Sequence, residues 1–333
     1  MKKCVELSLA EPVYSTYHSQ GNAGAVLTDN LSIRNWYLNQ VMLLCCNRRF
    51  LYGSTTPDIT VDESTDLENP YLDKVFFKTR YLGRNIHYVI RSLLDDGYYV
   101  GFTGIDDYYV EGKSWYQEHH YYHDGLIFGY DGSDKTYSLY AYDKNWIYRP
   151  FKTTQQSFEK GRQAAFRKQK YGLIYGLKPS PDKIELNPKL ICDKLREYLD
   201  SSLEKYPFYT KGLAYGTVVH DYIAMYLNKL ADGSIPYERM DRRVFRLIWE
   251  HKKVMYERIQ AVEKKLGFTG EISAAYEAVV READNLRLLY ASHHMKQRNA
   301  VLPLMRDRLL QLKKEEAQLL TRFILKTEGE IKK

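Results

Sequence analysis

The sequence predicts an α+β fold followed by an all-helical half, and three observations carry that expectation. Apolar residues recur at helical spacing over residues 23–46 and again over 82–97. From Tyr98 the period changes to two, over segments rich in β-branched and aromatic residues. Beyond about residue 185 the helical period returns and holds almost to the end. Helices that precede an antiparallel sheet make an α+β arrangement.

The elements follow in order. Residues 23–29 and 32–46 are expected as helices, the second with Ile33, Trp36, Tyr37, Val41, Leu44 and Cys45 on one face. Residues 50–75 are rich in Asp, Thr, Ser, Pro and Gly and are expected as loop. A helix over 82–97 faces Ile86, Val89, Ile90, Leu93 and Leu94 inward and ends at Asp96-Gly97. Strands are expected over 98–103, 125–130 and 136–142, with another over 145–150. The connector Tyr130–Lys135 makes the middle two an antiparallel hairpin. A helix over 154–167 has Thr153 or Thr154 as its N-cap. Further helices are expected at 187–204, 211–231, 237–266, 270–298 and 301–327. Leu266-Gly267 reads as a glycine stop and Pro303 as a first-turn proline. Pro179-Ser180-Pro181 marks the boundary between a domain of residues 1–178 and a helical domain of 185–333.

Composition narrows the function classes. At 333 residues and 44% hydrophobic content the chain can bury a sizeable core. The net charge of +7 divides into +1 over residues 1–180 and +6 over 181–333. Acids interleave with the basic residues throughout, so a solvated helical surface or an acidic protein partner is expected, and no nucleic acid. No run of 18 apolar residues occurs, so no membrane span is expected. No long apolar run follows Met1-Lys2-Lys3. Together with four cysteines that form no framework, this leads to the expectation of a reduced, cytoplasmic setting.

Two segments carry chemistry. In Gln20-Gly21-Asn22-Ala23-Gly24-Ala25 a glutamine amide precedes a run of small residues that opens an apolar helix. Such a helix start stabilises an anion, and the amide can donate to an oxyanion. Only the nucleophile is lacking: Ala23 stands where a thiol would complete the arrangement. The second segment, His119 to Asp131, sets His123 directly before the apolar strand Leu126-Ile127-Phe128. The hairpin would then bring Asp143, at the end of the following strand, beside His123 as its orienting carboxylate. His119, His120, His123 and Asp124 could instead ligate a metal, but no glutamate follows in a metalloprotease pattern, and no metal is expected. Cys45 and Cys46 are rival nucleophiles that read as small buried hydrophobes in an apolar helix. Trp115 and Trp146 flank the proposed site in sequence.

These motifs resemble papain-like thiol proteins. The order Gln-x-x-Ala-Gly, then His-Asp-Gly-Leu-Ile-Phe-Gly-Tyr-Asp, then Tyr-Ser-Leu-Tyr-Ala-Tyr-Asp is similar to the bacteriocin-processing peptidase domains of exporters. It is more similar still to the N-terminal domain of the butirosin acyltransferase family. The resemblance covers about residues 10–165. It implies a papain-like fold and an amide-forming acyltransferase of nonribosomal natural-product assembly. An acyl group would pass from the phosphopantetheine arm of a carrier protein, through a cysteine at position 23, to a small amine. His123 would be the base, Asp143 its orienting partner and Gln20 an oxyanion donor, with Asn22, Gly24, Tyr122 and Tyr142 lining the substrate site and no cofactor held by the chain itself. Because position 23 is alanine, the resemblance also implies an inactive chain that binds without forming the acyl-enzyme, either because its cysteine was replaced by alanine or because it is a natural pseudoenzyme. A peptidase using the same site, or a pseudoenzyme holding a carrier-bound intermediate, fits the same motifs.

Overall fold

A computed structural model describes residues 2–26, 31–53, 56–62, 64–65, 69–170, 172–180, 183–201, 212–296 and 300–332. Parts of the expected helices at 27–29, 202–204, 211 and 297–298, and the boundary residue Pro181, lie outside them. The chain divides into two compact units, residues 1–30 with 64–183, and residues 31–63 with 184–333. The segment 31–63, expected with the first domain, belongs to the unit of the C-terminal helices.

In chain order the elements are β1 (Cys4–Glu6), α1 (His18–Val26), α2 (Leu31–Gln40), β2 (Leu44–Asn47), β3 (Thr60–Val61), β4 (Leu72–Lys78), α3 (Ile86–Asp95) and β5 (Tyr99–Asp106). They continue with β6 (Tyr122–Asp131), β7 (Thr136–Tyr142), β8 (Tyr148–Thr154), α4 (Gln155–Gln169), β9 (Leu173–Pro179), α5 (Pro188–Asp200) and β10 (Leu213–Tyr215). The helices α6 (Val219–Ala231), α7 (Val244–Leu266), α8 (Glu271–Lys296) and α9 (Val301–Ile331) complete the chain.

The first unit is built on a seven-stranded antiparallel sheet in the order β4-β9-β5-β6-β7-β8, with β1 added beside β6. The α+β class and the antiparallel sheet expected from the sequence are therefore present. The hairpin of β6 and β7 pairs Leu126 with Tyr140 and Asp131 with Thr136. Helix α3 buries Ile86, Ile90, Leu93 and Leu94, one stripe at helical spacing, in the apolar layer on the sheet. Helix α4 starts where Thr154 accepts the N–H of Ser157, and it buries Phe158 against Phe102 and Tyr137. Burying one such ring contributes about 1.5–3 kcal/mol.

Three sequence expectations need correction in this unit. Strands β4 and β9 were not foreseen; they pair with each other over their whole lengths, Leu72 with Pro179 through Lys78 with Leu173. Strand β8 begins at Tyr148 rather than Asn145, because residues 143–147 form a turn. Helix α1 begins at His18, a turn and a half before Ala23.

The second unit is helical apart from a small sheet, β10-β2-β3. Cys45 and Cys46 lie in β2, paired with Thr60 and Tyr215 and with Ala214, and not in the last turns of a helix. Helix α2 stops at Gln40, and Arg258 of α7 explains what satisfies its end. The fully buried guanidinium donates to the carbonyls of Leu38 at 2.6 Å, Tyr37 at 3.0 Å and Val41 at 2.9 Å. A cation there meets the last carbonyls and the negative pole of α2 together. Helix α5 opens on Asn187, which caps the N–H of Leu190, followed by Pro188. Helix α7 ends at Gly267 with φ +71°, the expected glycine stop. Among the described residues no helix is long and apolar enough to cross a membrane.

At the centre of the helical unit lies a buried polar cluster. Lys252 of α7 donates to Glu316 of α9 at 2.7 Å and to Tyr198 of α5 at 3.0 Å. Tyr198 and Tyr276 add their hydroxyls to Glu316 at 2.9 and 2.5 Å. His220 and His251 stand 3.1 and 3.4 Å from the same ammonium. Their other ring nitrogens meet the carbonyls of Thr217 and Met42, each at 2.9 Å.

Candidate active site

Helix α1 carries the first motif and is buried almost throughout, from Gln20 to Val26. Its small residues let it pack closely. A Cβ on Gly21 would fall 2.5 Å from the Tyr148 ring, and one on Gly24 would fall 2.6 Å from Pro12. Gly24 therefore packs against chain rather than against open space. Asn22 is fully buried; it accepts the Tyr148 hydroxyl at 2.8 Å and donates to the Tyr175 hydroxyl at 3.4 Å. Gln20 is also buried, and its amide donates to Ser64 at 2.7 Å. Both amides are thus held by protein partners.

His123 stands near the start of β6, its side chain 22% exposed. The register pairs it with Ile105 and pairs Tyr122 with Asp106, so the turn after β5 is its neighbour. That turn supplies Asp107, whose carboxylate lies 3.4 Å from His123 Nδ1 and 3.4 Å from the buried Lys113 ammonium. Neither Asp107 oxygen receives a hydrogen bond among the described residues. Lys113 also donates to the carbonyl of Asp124 at 3.2 Å, while the Asp124 carboxylate accepts the N–H of Gly104. Burial pushes the Asp124 carboxyl up, and that N–H pulls it partly back.

Asp143 does something other than orient His123. Asp143 follows the end of β7, but the β6–β7 pairing stops at Leu126–Tyr140 and its backbone bridges Lys113 rather than His123. Its carboxylate turns into the following loop. There it accepts the N–H groups of Asn145 at 2.8 Å and Ile147 at 3.0 Å, and it pairs with Arg149. Burial pushes the Asp143 carboxyl up, but these donors outweigh it and leave the pKa below the usual carboxylate value. The carboxylate beside His123 is Asp107.

The partner of His123 on α1 is His18. The two rings are 4.1 Å apart between centroids, at 70°. Tyr142 and Tyr148 lie 5.1 and 5.5 Å from the same His18 ring. His18 is 6% exposed, and its Nε2 is buried without a hydrogen-bond partner among the described residues. Burial, and then the nearby His123 and Lys113 charges, hold its pKa well below the ordinary imidazole value, so the ring is neutral. Ala23 follows five residues later, about 140° around an ideal helix from His18, and is fully buried. On α1, His18 is the residue whose ring meets His123.

Tyr142 donates to the carbonyl of Ser15 at 2.6 Å and so fixes the segment leading into α1. Tyr122 is half-buried at the start of β6, where burial, Asp106 and Tyr109 raise its phenol pKa. His120 meets Asp106 at 2.8 Å and stacks on Tyr108, while His119 lies against Trp115. Among the described residues no three His, Cys, Asp or Glu side chains are placed to hold a metal ion.

The cysteines give no activated thiol to replace the missing one. Burial pushes Cys45 and Cys46 each up to about 12 and Cys192 up to about 11, all in the helical unit, while Cys4 is exposed on β1. Sequence reasoning missed His18, Asp107 and Lys113. His18 was available, since it opens the same motif stretch; Asp107 and Lys113 follow only from the β5–β6 register.

No protein-family model matches this sequence, and no curated protein matches it either.

Proposed function

We propose that the unit of residues 1–30 and 64–183 is a papain-like acyl-transfer module. In this reading it forms an amide from a carrier-protein thioester and a small amine, in a reduced, cytoplasmic setting. The observation that supports it best is the His123–Asp107 pair, set on an antiparallel strand against a buried helix. Asp107 beside Nδ1 favours the tautomer with its proton there, which leaves the Nε2 lone pair as the base. A separation of 3.4 Å is ordinary for a site that tightens around its substrate.

The alanine at 23 and the placement of His18 favour direct transfer over an acyl-enzyme. The amine nitrogen attacks the thioester carbonyl, a C–N bond forms and the C–S bond breaks. His123 takes the amine proton and gives it to the departing phosphopantetheine thiolate. Amide replaces thioester, so no ATP is required. His18, neutral and buried, holds the His123 ring in place. The route through a thiol at position 23, implied by the resemblance, would need a sealed position to open.

The test mixes an acyl-loaded carrier protein with amines and follows amide by mass spectrometry. Direct transfer gives amide with the chain as it stands, no acyl adduct, and a loss of about 10²–10⁴-fold in rate for His123→Ala. If only Ala23→Cys forms amide, through a discharged adduct, the thiol route holds instead. Carrier binding without amide in either protein would leave a pseudoenzyme.

A further inference from the structure

Beside His123 the first unit exposes a group of aromatic side chains that the proton transfer does not use. Tyr121 lies 5.0 Å from the His123 ring and 6.3 Å from Trp115, and Trp115 meets Trp146 at 5.5 Å and 83°. Trp146 is 46% exposed and Tyr121 43%, with Ile147 also exposed next to them. Isolated exposed rings are ordinary, but a contiguous cluster at a site's edge marks a binding surface.

The backbone under this cluster is built to present it. Trp146 has φ +59°, a conformation that a bulky L-residue adopts only when its surroundings enforce it. Here they do: the Asp143 carboxylate holds the N–H groups on either side of Trp146, and the Trp146 N–H donates to the Asp143 carbonyl at 2.9 Å. The Trp115 loop carries the same feature at Gln117, φ +59°. The two loops are joined by the bridge between Lys113 and Asp143 and by the Lys144 N–H to Gly112 carbonyl bond at 2.9 Å. One donor is left over, the Trp115 indole N–H, buried without an acceptor among the described residues.

We infer that Trp115, Trp146 and Tyr121 form a preorganised corner that binds an aromatic ring of the substrate beside His123. Two indoles near 90° offer a face and an edge together, which suits a flat ring better than a saturated one. The inference rests on the reading of His123 as the reacting base, and the ring could belong to the acyl donor or to the amine.

Calorimetric titration separates these cases. The probes are the benzoyl and cyclohexanecarbonyl thioesters of N-acetylcysteamine, and benzylamine against cyclohexylmethylamine. The aromatic member of one pair binds about tenfold tighter than its saturated counterpart, and the pair that shows this names the donor or acceptor side. Trp146→Ala removes the preference. Trp146→Asn, which keeps a residue tolerant of positive φ, removes it too and controls for collapse of the turn. Equal affinity within each pair, or a preference that survives in a folded Trp146→Asn, overturns the inference. His123→Ala keeps the preference while slowing amide formation about 10²–10⁴-fold. A preference present with no His123-dependent amide would sink the acyl-transfer reading and leave the aromatic corner standing.

Discussion

Among the described residues two buried lysine–carboxylate pairs have histidines beside them, and they differ in how fully they are satisfied. In the helical unit, Lys252 and Glu316 are wholly sealed, and two tyrosines, two imidazoles and two backbone carbonyls complete the hydrogen bonds around them. In the sheet unit, Lys113 and Asp107 meet at 3.4 Å, neither Asp107 oxygen receives a hydrogen bond among the described residues, and His123 remains partly open. A satisfied buried network specifies a core, whereas a partly satisfied one retains capacity for something that arrives later. The same residue types thus make scaffold in one place and a candidate site in the other.

The sharpest way to break the comparison is Lys252→Met, which strands the Glu316 charge. It should destabilise the helical unit by about 3–5 kcal/mol, read from denaturant unfolding. The double change Lys252→Met with Glu316→Leu should recover most of that loss. No recovery would mean that the network does more than hold helices together.

Asp107→Asn is the matching change in the sheet unit. It should lower amide formation at least about 10²-fold, within the range of general acid–base catalysis. A rate loss of that size with a little-changed unfolding midpoint supports a positioning role for Asp107. Loss of the fold itself would make the pair structural, like its helical counterpart.

The third expectation concerns pH. Burial first, and then the Lys252 charge, hold His220 and His251 well below the ordinary imidazole value. The unfolded chain, titrating near pH 6.5, therefore binds protons that the folded one refuses. Their contribution is complete above about pH 6.5 and is lost below it, at up to about 1.4 kcal/mol per imidazole per pH unit. Unfolding free energies between pH 7 and 5 should show this slope, reduced in His220→Asn. The smallest effect belongs to Arg149→Ala. Its half-exposed pair with Asp143 should contribute no more than about 1 kcal/mol, and a larger loss would show that the Trp146 turn depends on it.

The sequence made the local parts of this fold legible and hid the non-local ones. The hairpin of β6 and β7 shows in the alternation of Thr136–Tyr142 and the tight turn before it. The α4 cap and the Gly267 stop show because each is a local event. Strands β4 and β9 find each other across about a hundred residues, and Asp73, Lys74 and Lys78 break the apolar pattern of an edge strand. Cys45 and Cys46 read as helix because the stripe from Ile33 to Val41 runs on in phase, though the chain turns at residue 41. At the site, His123 stands out beside its apolar strand. Asp107 does not, because its nearness to His123 depends on register and a single turn.

Neither unit is one continuous stretch of chain, and that has a consequence for biosynthesis. When the ribosome has released residue 183, the sheet unit has all its segments. Residues 31–63 have by then been exposed for the whole interval, with Trp36, Tyr37, Val41 and Leu44 lacking the helices that bury them. The carbonyls at the end of α2 wait longer still, since Arg258 is made 217 residues after Val41. The nascent chain carries this apolar segment without its partners until α5 and then α7 emerge, which leaves residues 31–63 open to a chaperone over that interval.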